Sequence, residues 1–157
     1  MKKIFFAYIL AAITIMSACA QGASDPGQVS FPALNGVAVT LQQITESPRA
    51  VLFVWTTWCP YCRKEISHLN NEFSDYGSID FYYVNSGESR ATVQKFVTKQ
   101  KLAPHVTDRI ILDRENILTN KYSVVGIPTF LILEKGKVIY RSHHMTKETI
   151  EQALNNG

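Results

Sequence analysis

The sequence predicts an α/β fold built on a layered sheet, and three observations predict it. A continuous apolar run, AVLFVW (residues 50–55), reads as a strand covered on both faces. Apolar residues then recur at helical spacing, and the two patterns go on alternating along the chain. The chain closes on a hairpin followed by a helix pattern. Strands alternating with helices in this way argue for a sheet layered with helices.

Each element has its own signal. GVAVTL (36–41) reads as a short edge strand or hairpin, and AVLFVW as the first long strand. Pro60 suits the first turn of a helix. From there Cys62, Ile66, Leu69, Phe73 and Tyr76 follow at spacings of four, three, four and three, one face of a helix, with Gly77 just past its end. IDFYYVN (79–85) is the next strand. ESRATVQKFVTKQK (88–101) forms a helix with Val93, Phe96 and Val97 inward. RIIL (109–112) is a strand, DREN turns the chain, and residues 117–122 make a short helix. PTFLIL (128–133) is a strand, EKGK a tight turn and VIYR its antiparallel partner. KETIEQALN closes the chain as a helix capped by Thr146.

The chain opens on MKK, a charge-free apolar run IFFAYILAAITI (4–15) and small residues, MSACAQGAS, the layout of a secretory signal. The apolar run falls short of the roughly 20 residues a membrane span needs. MSAC (16–19) resembles a bacterial lipoprotein box, in which Cys19 would become the lipidated first residue, although such boxes usually carry Leu where Met16 stands. Cleavage after Ala20 is the rival, since Ala18-Cys19-Ala20 also fits a small-x-small site. The expected organisation is a signal over 1–18, a flexible tether over 19–28 and one domain over 29–157. Either way the mature chain is exported to a compartment where disulfides persist.

About 130 residues after the tether are enough for one hydrophobic core. The formal charge of +3 includes Lys2 and Lys3, so the mature chain stands near +1. That is no electrostatic footprint for nucleic acid.

The chemistry sits in WTTWCPYCRKE (55–65). Cys59 falls at the N-cap of a helix, where unpaired backbone N–H groups and the positive helix end favour a thiolate. A thiolate is the attacking species in disulfide exchange. Cys62, one turn on, is aligned with the apolar stripe and is expected to be more buried and less ionised. That asymmetry suits attack by Cys59 and resolution by Cys62. A permanent structural bridge would close so small a loop that it stabilises little. A zinc site normally needs four ligands. Cys19 is far from the pair, and His68, His105, His143 and His144 are placed as surface or capping residues, so no metal is expected.

WTTWCPYC resembles the active site of thioredoxin-fold proteins, and VVGIPTFLILEKGKVIYR (124–141) resembles their second signature. The resemblance runs from about residue 29 to the C-terminus. It implies a thioredoxin-like fold: a central mixed β-sheet with helices on both faces. It also implies a cis Pro128 packed against the cysteine pair, with the backbone of Ile127 turned toward an incoming peptide. FPALNG...VTLQQI, CRKE and an extra helix-strand insertion over about 88–112, before the cis-Pro strand, are similar to the exported, membrane-tethered TlpA/ResA-like group. Members of that group typically reduce disulfides outside the cytoplasm, often those of apocytochromes c. The chain departs from the group with Tyr61 before the second cysteine and no Pro near Ser67. Phe53 stands where thioredoxin has a buried Asp.

The resemblance implies an exported thiol–disulfide oxidoreductase acting on protein substrates with disulfides or thiols, fed by a redox partner such as a membrane electron donor. No cofactor is implied. Cys59 and Cys62 would be catalytic; Trp58, Tyr61, Ile127 and Pro128 would meet the substrate; Cys19 would carry a lipid anchor to the membrane. Thr56 and Thr57 are read as shaping the turn, and Arg63 and Lys64 as solvated charge. A disulfide-donating oxidase and a copper-binding chaperone on the same fold stand as alternatives.

Overall fold

The computed structural model describes residues 28–72, 77 and 79–155. Phe73 and Tyr76, the expected signal and nearly all of the expected tether, with Cys19, lie outside them.

The elements run β1 (Ser30–Pro32), β2 (Ala38–Thr40), α1 (Leu41–Glu46), β3 (Arg49–Trp55), α2 (Pro60–Glu72), β4 (Asp80–Ser86), α3 (Arg90–Gln100), α4 (Pro104–Thr107), β5 (Ile110–Asp113), α5 (Ile117–Lys121), β6 (Thr129–Glu134), β7 (Lys137–Ser142) and α6 (Lys147–Asn155). Five strands form the central sheet in the order β5-β4-β3-β6-β7. β3, β4 and β5 are parallel, whereas β6 is antiparallel to β3 and β7 to β6. The sheet is therefore mixed. β1 and β2 pair separately as an antiparallel ribbon.

The period-2 pleat of β3 divides the core. Val51, Phe53 and Trp55 face one apolar cluster with Cys59, Cys62, Ile66 and Leu69 of the α2 region, Val93, Phe96 and Val97 of α3, and Ile150 of α6. Ala50, Leu52 and Val54 face a second cluster with Phe31 of β1, Ile44 of α1 and Leu118 of α5. Both faces are covered, which is why β3 reads as an unbroken apolar run.

Three differences from the sequence reading have local causes. The segment 36–41 yields a strand of three residues, because Leu41 opens a helix instead. Thr40 caps that helix: its hydroxyl accepts from Gln43 N–H while Gln43 Oε1 accepts from Thr40 N–H, a reciprocal capping box. The third helix starts at Arg90 rather than residue 88, because Ser89 is its N-cap and accepts from Thr92 N–H. It stops at Gln100, with Lys101 left-handed at φ 53°. The four-residue α4, with Pro104 as its first residue, is too short for an apolar period to reveal it. The inserted segment, α3 through β5, places β5 at the edge of the sheet.

Candidate active site

Trp55 ends β3 at the carboxyl edge of the parallel strands, and Pro60 opens α2 five residues later. The loop between them delivers Cys59 to the mouth of the helix. The backbone N–H of Cys62 points at Cys59 Sγ at 3.1 Å, and Arg63 N–H donates to the Cys59 carbonyl at 3.1 Å. Cys59 is thus the N-cap of α2, as its place in the sequence predicts. In the thiolate state the same N–H and the positive helix end would stabilise the charge.

Cys59 and Cys62 are joined as a disulfide, with Cα atoms 5.2 Å apart. Cys59 retains 4% exposure and Cys62 none. The order of burial is the expected one, although the first sulfur is itself nearly covered. Trp58 and Tyr61 stand out on either side of it, 68% and 74% exposed.

The opposite wall is the loop entering β6. The Ile127–Pro128 bond is cis, in agreement with the resemblance. The Ile127 carbonyl lies 4.0 Å from Cys59 Sγ. Ile127 is half-buried, Pro128 is buried, and Val125 is almost wholly exposed at the crest of the loop. Strand β7 and the residue just past it hold this loop at both ends. Arg141 donates to the carbonyls of Tyr122 at 2.6 Å and Ser123 at 3.2 Å, and His143 Nδ1 donates to the Pro128 carbonyl at 2.6 Å. Thr129 Oγ1 bonds the Gly126 carbonyl at 2.6 Å.

Beneath the pair, Phe53 stacks on Phe130 with centroids 4.4 Å apart and meets Tyr83 edge-on at 5.9 Å. The place of thioredoxin's buried Asp is therefore filled by an aromatic ring. Glu65, mostly buried one turn past Cys62 on α2, pairs with His144 Nδ1 at 2.8 Å. His68 lies beside His144, ring centroids 5.9 Å apart. His105 sits half-buried on α4, away from this group in the chain. Among the described residues no group of three or more His, Cys, Asp or Glu could hold a metal ion, and no helix is long and apolar enough to cross a membrane. Arg63 and Lys64 are exposed.

Sequence reasoning gave Glu88 no part in the site. Glu88, in the loop after β4, receives Thr57 N–H at 2.7 Å, Thr57 Oγ1 at 2.6 Å and Asn85 Nδ2 at 2.8 Å. Thr57 shapes the loop, as expected, but does so through a partner 31 residues away. The only sequence signal was a carboxylate just ahead of a Ser N-cap, which reads equally well as helix-start electrostatics.

A family model described as Redoxin matches residues 21–156. The sporulation thiol-disulfide oxidoreductase A of Bacillus subtilis is 32% identical over 57% of this chain and 56% of its own length. The thiol-disulfide oxidoreductase ResA of Bacillus subtilis is 29% identical over 84% of this chain and 73% of its own. This chain spans little more than half the length of the first curated relatives it matches, 56% and 58%. The crystal structure of StoA from Bacillus subtilis superposes with a TM-score of 0.66 at 23% identity, over 83% of this chain and 98% of that one. The fold is thioredoxin-like.

Proposed function

The chain belongs to the Redoxin family, and from that premise we propose that it is an exported thiol–disulfide oxidoreductase that reduces disulfides of extracytoplasmic proteins. Apocytochromes c are the substrate class that the TlpA/ResA-like resemblance suggests. The observation that carries the reading is Cys59 at the mouth of α2, with Cys62 N–H aimed at its sulfur and the Ile127 carbonyl alongside. The names of the relatives, thiol-disulfide oxidoreductases, support it.

Reduced Cys59 attacks one sulfur of a substrate disulfide as thiolate. The Cys59–substrate bond forms, the substrate S–S bond breaks, and one substrate thiolate leaves. Cys62 gives up its proton and attacks Cys59 Sγ, releasing the second substrate thiol. The protein is left as the Cys59–Cys62 disulfide, and two electrons from a separate donor restore it. Trp58 and Tyr61 offer an apolar rim to the partner, and the edge formed by Ile127 and Pro128 receives its backbone as an added strand. Lipid on Cys19 would hold the enzyme at the membrane, and Cys19→Ala would then release it into the soluble fraction.

The test is a Cys62→Ser variant in extracts that contain extracytoplasmic proteins. Mixed disulfides through Cys59, removed by reductant and absent from Cys59→Ser, support the reading. Undiminished insulin reduction by Cys59→Ser overturns it. Equilibration with glutathione sets the direction of exchange: a potential near about −270 mV marks a reductase and near about −120 mV an oxidase.

A further inference from the structure

We propose, on the footing of the disulfide-exchange reading, that Glu88 is a positioning residue for Cys59, clamping the loop that carries the nucleophile. Helix α2 fixes the residues after Cys59, but nothing within α2 fixes those before it. Residues 56–58 leave β3 without strand pairing, and Trp58 is exposed. The anchor on that side is Thr57. Its N–H and its hydroxyl both donate to Glu88, at 2.7 and 2.6 Å. Hydrogen bonds to an ionised acceptor are the short, strong class, and two on one residue fix its position and its rotation.

Glu88 is itself held. Asn85, wholly buried at the end of β4, donates to its Oε2 at 2.8 Å. The turn that presents it is pinned from the end of β5 and the start of α5. Gly87, at φ 73°, donates its N–H to the Asp113 carbonyl at 3.0 Å, and Ser86 Oγ bonds Asn116 Oδ1 at 2.6 Å. Asp113 is in turn tied by Thr119, whose N–H and hydroxyl donate to Oδ2 at 3.0 and 2.8 Å. A continuous polar chain thus runs from β5 and α5 through the β4–α3 turn to the cysteine loop. Glu88 is where this chain reaches the loop that carries Cys59.

The pattern of oxygens makes the idea separable from mere stabilisation. Oε2 receives both Thr57 N–H and Asn85, and Oε1 receives the Thr57 hydroxyl. A glutamine can keep its carbonyl oxygen in the Oε2 place and turn its NH2 toward the Thr57 hydroxyl, which then accepts. Glu88→Gln keeps the clamp; Glu88→Ala removes it.

The experiment measures insulin reduction (kcat and KM) and, separately, the rate at which iodoacetamide alkylates reduced Cys59 at neutral pH, on full-length wild type, Glu88→Ala and Glu88→Gln. Glu88→Ala is expected to lower kcat about tenfold with KM within about twofold, and to slow alkylation at least about threefold. Glu88→Gln is expected within about threefold of wild type on both readouts. Glu88→Ala matching wild type within about twofold in alkylation overturns the inference, as does Glu88→Gln as impaired as Glu88→Ala. Should Glu88→Ala not fold, Thr57→Val, which removes only the hydroxyl bond, must slow alkylation about twofold, and an unchanged rate overturns the inference. A wild type that fails to reduce insulin refutes the functional reading alone, since the alkylation ratios still decide the role of Glu88.

Discussion

Removing the ring of Phe53 tests whether the floor of the cysteine site is structural. Phe53 sits mid-β3 with no exposed surface, stacked on Phe130 at 4.4 Å and edge-on to Tyr83 at 5.9 Å. It belongs to the same apolar cluster as Cys59 and Cys62. Burying such a side chain is worth about 1.5–3 kcal/mol by transfer alone, and its aromatic contacts add about 0.5–1.5 kcal/mol. The cavity left in a close-packed interior brings the total for Phe53→Ala to about 3–5 kcal/mol. Against a typical domain stability of about 5–15 kcal/mol, that is a large fraction. At about 3–5 °C per kcal/mol for a domain of this size, Tm should fall by about 9 °C or more. Thermal unfolding followed by circular dichroism on the reduced protein reads it directly. A drop of less than about 3 °C would mean that the site collapses freely around the missing ring, and the packing argument made for Phe53 would be wrong.

Gly136→Ala should destabilise by about 1–3 kcal/mol from backbone strain alone, because φ is +75° and an added Cβ would lie 2.7 Å from the Thr45 carbonyl; an unchanged urea midpoint would refute this. Tyr122→Phe should be neutral or stabilising by about 1 kcal/mol, since the buried hydroxyl has no hydrogen-bond partner among the described residues. Burial raises the pKa of Tyr122, so its contribution is present below the unfolded value and lost as pH rises through the folded one. Tyr122→Phe should therefore flatten the alkaline limb of the stability profile, and a limb as steep as wild type counts against it. Thr146→Ala should cost about 1 kcal/mol by removing the cap on Thr149 N–H at 3.2 Å. The backbone N–H of Glu148, and then the Thr146 hydroxyl, hold the Glu148 carboxyl below its usual range. That stabilisation is present above the unfolded pKa and lost as pH falls through the folded value, so Thr146→Ala should also soften the acid limb in a pH series of melts.

The long elements were legible because each carries a period of its own. Val51, Phe53 and Trp55 fall in one cluster and Ala50, Leu52 and Val54 in the other, so a run apolar at every position meant a strand covered twice. Cys62, Ile66 and Leu69 mark the buried face of α2 as their spacing requires. Short elements carry no such redundancy. Helix α1 rests on a reciprocal bond between Thr40 and Gln43 and on one buried residue, Ile44, too little for a periodic signal. The parallel pairing of β3, β4 and β5 was not in the composition of the strands; the mixed sheet came only with the resemblance.

The same division runs through the site, and it follows from sequence distance. The parts of the proposed exchange chemistry were legible because they are local: Cys59, Cys62 and the helix start lie within one turn, and the cap bond spans three residues. What orients those parts is not local. The Ile127 carbonyl reaches Cys59 across 68 residues, Glu88 reaches Thr57 across 31, and His144 reaches Glu65 across 79. Of these, only the approach of the Ile127–Pro128 segment to the cysteine pair was anticipated, and it came through the resemblance. Nothing in a single chain pairs Glu88 with Thr57, since each residue has an adequate local role: one flanks a helix start, the other lies in a turn. Polar side chains of this kind acquire their partners only when the sheet register sets the β3 and β4 ends side by side, Trp55 opposite Asn85. The proposed nucleophile is thus written in the motif, whereas the bonds that hold its loop are a product of the fold.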